Sequence, residues 1–153
     1  MMHILLGSGT KQSREQGMLT MKEEQIARAV VHEAFELHRE FGPGMLENVY
    51  EAFLEIRLRE QGLQVERQKP VGLVFEGVEI KEAFRVDLLV EQRLVLELKS
   101  LDKLAPVHFK QVLTYLKILD LPLGLLVNFG APMFKEGVHR VVNNYRTAAA
   151  RSG

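Results

Sequence analysis

Arg85-Val-Asp-Leu-Leu-Val-Glu-Gln-Arg-Leu-Val-Leu-Glu-Leu-Lys99-Ser100 is the stretch of sequence that decides the fold. It predicts a β-hairpin, because two runs of alternating apolar and polar residues flank a polar turn at residues 91–93. Side chains along a strand alternate between the two faces of a sheet, so residues two apart share a face. One predicted strand carries Asp87, and the other carries Glu97 and Lys99.

The register of this hairpin follows from two apolar rows. The rows are Val86, Leu88 and Val90 on the first strand and Leu94, Leu96 and Leu98 on the second. If both rows cover the same core, residues of like parity face each other, which pairs Leu88 with Leu96 and Asp87 with Glu97. This register needs an odd-numbered loop or a bulge at the turn. The pattern therefore predicts Asp87, Glu97 and Lys99 together on the opposite face.

Two carboxylates and an ammonium gathered on one face are typical of a divalent-metal site with an adjacent cation. The alternative is a solvated sheet face, the commoner explanation of charged residues that alternate with apolar ones. Leu89 and Val95 lie on the same face, which argues against a simply solvated surface. Because like charges at close range disfavour ionisation, we expect raised pKa values for Asp87 and Glu97 without metal.

The composition is that of one soluble globular domain. The chain has 153 residues, of which 46% are hydrophobic and 26% charged, enough for a substantial core. It contains no cysteine, which excludes disulfides, thiolate metal sites and cysteine catalysis. Its 20 basic and 20 acidic residues cancel, which counts mildly against a nucleic-acid binder without excluding a nuclease, whose site needs acids. We expect a cytoplasmic protein with no membrane association.

Hydrophobic periodicity and turn residues divide the rest of the chain into helices and strands. Helices are predicted over residues 22–41, 46–61 and 106–119, and strands over 63–68, 70–76 and 123–129, with an edge strand or short helix at 137–142. The long crossover before residue 123 permits a parallel connection. We predict an α/β (α+β) three-layer domain over residues 21–146, with a mixed sheet flanked by helices. Residues 1–20 are expected to form a mobile N-terminal extension and residues 147–153 a mobile tail.

A second motif, Gly44-Met-Leu-Glu47-Asn-Val-Tyr50, resembles the one that names the GxxExxY proteins, a family assigned to the PD-(D/E)XK nuclease-like superfamily. The similarity extends over about residues 24–143. It includes Arg85 and Asp87 on one strand, Glu97 and Lys99 on the next, and His108, Gln111 and Tyr115 on a helix. The resemblance implies a restriction-endonuclease-like core of order αβββαβ, in agreement with the predicted elements. Val86 stands where the superfamily's namesake motif has proline.

The resemblance also implies roles for individual residues. The catalytic residues would be Lys99, Asp87, Glu97 and Glu47. The ligands of Mg²⁺ or Mn²⁺ would be Asp87, Glu97, Glu47 and the backbone carbonyl of Leu98. Lys99 would orient or deprotonate the attacking water, or stabilise the developing charge. Candidate substrate contacts are Arg85, His108, Gln111 and Tyr115.

Each of these residues also has a simpler interpretation. Glu47 near a helix N-terminus favourably meets the helix dipole, and Arg85 is equally suited to a surface ion pair. Tyr50 is expected to pack in the core with a hydrogen-bonded hydroxyl. The trio on the third helix also fits an ordinary helix face at a domain edge. Three lysines could line a path for the phosphates of a substrate, although scattered lysines on a helix are usually just solvated. They are Lys103, Lys110 and Lys117.

Three functions are compatible with these residues. We favour a metal-dependent phosphodiesterase or nuclease of PD-(D/E)XK type, with nucleic acid as its partner; a homodimer is left open. The alternative is a non-catalytic module that binds nucleic acid or protein and retains the nuclease fold. A hydrolase of another phosphate compound is the third, but Gly42-Pro-Gly44 lacks the Lys-Ser/Thr that follows in a P-loop. The intact set of Asp87, Glu97 and Lys99 favours the enzyme.

Overall fold

A computed structural model of the protein describes residues 2–5 and 21–144. Its elements, in chain order, are β1 (Met2–Leu5), α1 (Met21–Phe41), α2 (Glu47–Glu60), β2 (Val65–Phe75), β3 (Val78–Val90), β4 (Leu94–Lys99), α3 (Pro106–Leu119), β5 (Leu123–Asn128), α4 (Phe134–Gly137) and β6 (Val138–Val142). Of the expected extension, residues 2–5 form β1 and the remainder lies outside the described residues, as does the expected tail. Within the described ranges, no helix combines the length and the apolarity needed to cross a bilayer.

The strands form one sheet in the order β1-β2-β3-β4-β5-β6. Strands β4 and β5 are parallel, joined by a crossover through α3, and the other neighbours are antiparallel. Helices α1 and α2 bury one face of the sheet, and α3 buries the other. The predicted mixed sheet, three layers and αβββαβ order are confirmed, with β6 as the edge strand anticipated at residues 137–142.

The predicted hairpin register is confirmed over residues 88–90 and 94–96, whereas the predicted pair of Asp87 with Glu97 lies beyond the end of this ladder. Leu88 pairs with Leu96 and Val90 pairs with Leu94, which leaves a three-residue loop of the expected odd length. In this loop the Arg93 N–H donates to the Val90 carbonyl at 3.0 Å. The other two loop residues, at positions 91 and 92, have φ of 53° and 54°, the left-handed conformation of turns that follow the twist of the strands.

One member of the predicted apolar row lies in the other core, so that part of the prediction is wrong. Leu88 and Val90 pack with α1 and α2, whereas Val86 packs on the α3 side of the sheet. The reason is a local change in β2, where Gln68, across from Asp87, has a left-handed φ of 51°. A left-handed residue interrupts the alternation of faces, so the strands exchange their buried faces at this point.

The same interruption corrects the boundaries predicted for β2. The sequence pattern predicts two strands, 63–68 and 70–76, but the structure has one continuous strand. Val65 packs with α1 and α2, and Val71, an even number of residues later, packs on the α3 side. The feature at residues 68–69 is thus a change of face within a strand rather than a break between strands.

The loop after β4 is attached to the end of β5 through the buried side chain of Asn128. Its Oδ1 accepts hydrogen bonds from the Leu101 N–H (2.9 Å) and the Gly130 N–H (3.0 Å), and its Nδ2 donates to the Leu101 carbonyl (2.9 Å). Gly130 lies against the backbone of Leu101. A Cβ atom on residue 130 would collide with the Leu101 carbonyl oxygen and lie 2.6 Å from the Leu101 backbone nitrogen.

This close approach makes Gly130→Ala a test of the packing. The added methyl group meets backbone rather than a side chain that can rotate, so we expect a loss of roughly 1–3 kcal/mol or more in the free energy of unfolding. The matched control is Gly44→Ala, because a Cβ there meets nothing within 4 Å. Urea denaturation of both variants measures the difference; equal stability would contradict the packing described here.

Candidate active site

Strands β3 and β4 separate at Asp87 and Glu97, and the two carboxylates take over the bonding between the strands. The Asp87 N–H donates to Glu97 Oε1 at 3.0 Å. The Leu98 N–H donates to Asp87 Oδ2 at 2.9 Å. Each carboxylate is therefore held by a backbone donor of the opposite strand, and the structure brings together the two acids that the hairpin pattern places side by side.

Burial makes both acids hard to ionise, and each has a neighbouring acid that adds to the effect: Asp87 for Glu97, and Glu51 for Asp87. Glu97 is only 4% exposed, and its burial, together with the neighbouring charge of Asp87, raises its pKa to about 9. Burial also raises the pKa of Asp87, although the Leu98 N–H opposes the increase. The raised pKa values expected from the sequence are confirmed.

Lys99 supplies the positive charge of the cluster. It is half-buried, and its ammonium lowers the pKa values of Glu47, Asp87 and Glu97, against the larger upward effect of their burial. In the part of the chain that the structure describes, Lys99 takes part in none of the salt bridges. The ammonium therefore lies near three carboxyl groups without being fixed to one of them.

Tyr50 fixes the start of α2 beside the end of β4. Its ring is fully buried and stacks on Phe129, with centroids 4.1 Å apart and planes at 6°. Its hydroxyl donates to the Gly42 carbonyl and accepts from the Met45 N–H at 3.3 Å. The Ser100 hydroxyl donates to the Met45 carbonyl at 2.9 Å. The predicted packing role of Tyr50 is confirmed.

These contacts bring Glu47, the first residue of α2, to the carboxylate cluster. Glu47 is half-buried, and its burial raises its pKa, with the charges of Asp87 and Glu51 acting in the same direction and that of Lys99 in the opposite one. Glu47 therefore lies next to the carboxylate cluster, where the family resemblance implies that it acts. Its part in the chemistry stays a prediction.

Glu51 is a component of the site that sequence reasoning missed. It is 3% exposed, and its Oε1 accepts from Arg67 Nε at 2.8 Å and from Gln68 Nε2 at 2.8 Å. The same Gln68 nitrogen lies 3.4 Å from Asp87 Oδ1, so one amide connects the two acids. The available signal was the spacing from Glu47, since residues four apart share a helix face.

Two of the four candidate substrate contacts already have other partners. Arg85 forms an ion pair with Glu82 on an exposed part of β3, in line with its simpler interpretation. His108 Nδ1 accepts from the Ala105 N–H at 2.9 Å, which caps the N-terminus of α3. Neither contact involves the carboxylate cluster.

The other two candidates lie close to the acids. Gln111 Nε2 donates to the Tyr115 hydroxyl at 2.7 Å. Burial raises the pKa of Tyr115, and the negative charges of Glu97 and Asp87 raise it further. Tyr115 and Gln111 therefore border the carboxylates from the α3 side of the sheet.

The donor set suits a divalent cation bound by few protein ligands. Among the described residues, no three His, Cys, Asp or Glu side chains converge into a ready-made metal cage. Magnesium, however, is commonly held by one or two carboxylates and completes its shell with water and substrate phosphates. Asp87 and Glu97 each use one oxygen to accept a backbone N–H, so a cation would take the second. Its charge would also relieve the repulsion that raises their pKa values.

Comparison with known families agrees with this geometry. The family model of the PD-(D/E)XK nuclease superfamily matches residues 24–141. The chain belongs to the PD-(D/E)XK nuclease superfamily. The matched range includes the β3–β4 hairpin of this superfamily member together with α2 and α3, so the superfamily predicted from the sequence is confirmed. Comparisons with curated proteins and with solved structures give no match. Superfamily membership establishes the fold, and the reaction has to be argued from the site.

The raised pKa of Glu97 predicts how stability depends on pH without metal. A carboxyl group whose pKa rises on folding from 4.5 to about 9 holds its proton in the folded state where the unfolded chain has lost it. The free energy of unfolding should therefore fall as pH rises from about 4.5 to about 9. Glu97→Gln should flatten this dependence and stabilise the metal-free protein at the alkaline end.

Urea denaturation in EDTA across that pH range measures the effect. Glu60→Gln is the matched control, because Glu60 is exposed at the end of α2. This substitution should leave the pH dependence of the free energy of unfolding unchanged. A slope that persists in Glu97→Gln would show that another group causes it.

Proposed function

We propose that the protein is a metal-dependent nuclease that hydrolyses phosphodiester bonds in nucleic acid. The observation that supports this function best is the buried Glu97 beside the half-buried Asp87, with the Lys99 ammonium next to both. A buried carboxylate next to a second acid opposes folding unless it is protonated or compensated by a counter-charge. Groups kept in such an unfavourable state are characteristic of functional sites.

The donor set assigns the ligands of the metal. Asp87, Glu97 and the Leu98 carbonyl would hold Mg²⁺ or Mn²⁺, and Glu47 would anchor a ligand water or a second ion. When bound, the cation supplies charge stabilisation for the phosphoryl oxygens and assistance to the leaving oxygen. Backbone donors already orient Asp87 and Glu97, so little reorganisation is needed when substrate arrives.

Lys99 is the residue we propose for proton transfer or charge stabilisation at the attacking water. It follows Glu97 by two residues on the same strand, and its ammonium acts on the charges of Asp87 and Glu97, so a phosphate held there by a metal would lie close to it. Its stem is half-buried, and its charge is already directed to the carboxylates. A lysine with this placement can orient the water, accept its proton when the pKa is lowered by a nearby cation, or stabilise the developing negative charge.

The runner-up is a non-catalytic module that keeps the nuclease fold and binds nucleic acid or protein. The lack of a preformed metal cage among the described side chains and the net charge of zero favour it. The buried Glu97 beside Asp87 disfavours it, because binding alone gives no reason to keep Glu97 protonated or compensated. We also propose that the protein is one of the GxxExxY proteins, because it has Gly44, Glu47 and Tyr50 at the motif positions. We further propose that it is cytoplasmic.

Substitution of Lys99 separates chemistry from folding. Lys99→Ala should leave the melting temperature near pH 7 almost unchanged, because Glu97, with its pKa of about 9, already holds a proton there and Lys99 joins none of the salt bridges among the described residues. The same variant should abolish Mn²⁺-dependent cleavage of nucleic acid. Lys135→Ala is the matched control, because Lys135 is exposed on α4, outside the candidate site, and this variant should keep full activity. Gel assays on labelled DNA and RNA, with melting curves of each variant, measure both quantities.

Asp87→Asn completes this experiment, since the amide oxygen can still accept the Leu98 N–H while the charge is lost. Cleavage that survives both Lys99→Ala and Asp87→Asn arises from a contaminant or from another site. Preparations that cut neither DNA nor RNA with Mg²⁺ or Mn²⁺ would favour the non-catalytic alternative.

A further inference from the structure

A groove of about 580 Å³ runs between α3 and the β2–β3 hairpin, beside the carboxylate cluster. Leu73 and Phe84 line it from the hairpin, and Val107, Lys110 and Ile118 line it from α3. This volume falls within the range of small-ligand sites in proteins. The groove is mostly apolar, with a cationic side chain on one wall.

The groove borders the candidate active site through Tyr115 and Gln111. Tyr115 and Gln111 belong to its lining, and the charges of Asp87 and Glu97 act on the Tyr115 hydroxyl. The Phe84 ring stacks on the Tyr115 ring, with centroids 4.3 Å apart and planes at 7°. A chain lying in the groove would therefore contact the Phe84–Tyr115 pair, on whose hydroxyl the charges of the acids act.

The early separation of β3 from β4 creates this space. In the described residues, β4 pairs with β3 only from Leu88 to Val90. The preceding part of β3, residues 78–86, pairs with β2 alone, and α3 crosses its other side through the contact between Phe84 and Tyr115. The open part of β3 and the outer face of α3 thus form the two walls.

The charge of α3 distinguishes this wall from the rest of the surface. The helix carries Lys110 and Lys117 and no acidic residue, whereas α1 and α2 are rich in glutamate. Lys110 is exposed and lines the groove. Lys110 is the charged residue in a groove lining that otherwise consists of uncharged side chains, so the groove itself presents a positive charge to a phosphate.

We propose that the groove binds single-stranded nucleic acid and delivers it to the carboxylate cluster. This inference rests on the proposed nuclease function and specifies its substrate class. Bases would pack against Phe84, Val107 and Ile118, and Lys110 would contact a phosphate. Apolar and aromatic platforms beside cationic side chains are the combination that binds unpaired strands. A duplex hides its base faces in the stack and presents phosphates, so it gains little from an apolar groove.

Fluorescence anisotropy tests this proposal on the full chain in EDTA, where cleavage is suppressed. The probes are labelled oligodeoxythymidylate and oligouridylate of about 15 nucleotides, within the site size of single-strand-binding folds, and a DNA duplex of equal length. We expect at least one single strand to bind more tightly than the duplex. Val107→Glu and Lys110→Glu should each weaken that binding by roughly tenfold or more, since they remove a base platform or a phosphate contact and add a negative charge.

Two controls keep the result specific. Val107 is 62% exposed and Lys110 is exposed, so both variants should fold, which their melting temperatures check. Lys135→Glu makes the same charge change as Lys110→Glu on α4, away from the groove, and should bind like the unchanged protein. Loss of one phosphate contact in Lys110→Glu should also reduce the slope of log K against log salt by about 0.7.

Several results would overturn the inference. The inference fails if neither single strand binds, if duplex and single strands bind equally, or if the groove variants bind like Lys135→Glu. If neither single strand binds, a peptide added to β3 becomes the better occupant of the groove. Duplex cleavage that is insensitive to Lys110→Glu would also overturn it while the proposed nuclease function stands. Groove-dependent binding of a single strand without cleavage in Mn²⁺ would uphold it and reject the catalytic function alone.

Discussion

Two hydrogen bonds from backbone to carboxylate, Asp87 N–H to Glu97 and Leu98 N–H to Asp87, are the constraint on which the rest of the site depends. Each carboxylate accepts a backbone N–H from the opposite strand, at the point where the ladder of β3 and β4 ends. This bonding holds the buried Glu97 side by side with the half-buried Asp87. It also allows β3 to turn away from β4, which opens the groove against α3. In our proposal the same two residues determine both the chemistry and the access to it.

The surrounding structure is organised to hold this point in place. Tyr50 binds the loop before α2 and stacks on Phe129, so Glu47 is carried to the end of β4. Asn128 secures the loop that follows β4 from the other side. Glu51 receives Arg67 and Gln68 from β2, which ties α2 to the strand opposite Asp87. Rigid support of this kind is what a site needs when its groups must be positioned before substrate binds.

The sequence predicts much of this arrangement and misses particular parts for physical reasons. The register of the hairpin and the three long helices follow from hydrophobic periodicity, which local sequence carries directly. The position of Val86 does not follow, because one left-handed residue, Gln68, lies in the neighbouring strand and interrupts an alternation that the pattern assumes. Glu51 was missed because its role depends on contacts with Arg67 and Gln68, which are close only in the fold. Family resemblance supplied Glu47, whose placement beside Lys99 no periodicity reveals.

Calorimetric titration of Mn²⁺ into the metal-free protein near pH 8, in two buffers of different ionisation enthalpy, tests the metal centre most directly. If Asp87 and Glu97 hold the cation, Glu97 must lose the proton that its pKa of about 9 retains, so binding should release protons and the measured heat should differ between the buffers. The heat should disappear in Asp87→Asn. Binding that releases no proton, or that persists in Asp87→Asn, would contradict a metal site at this pair, as would the absence of heat in both buffers.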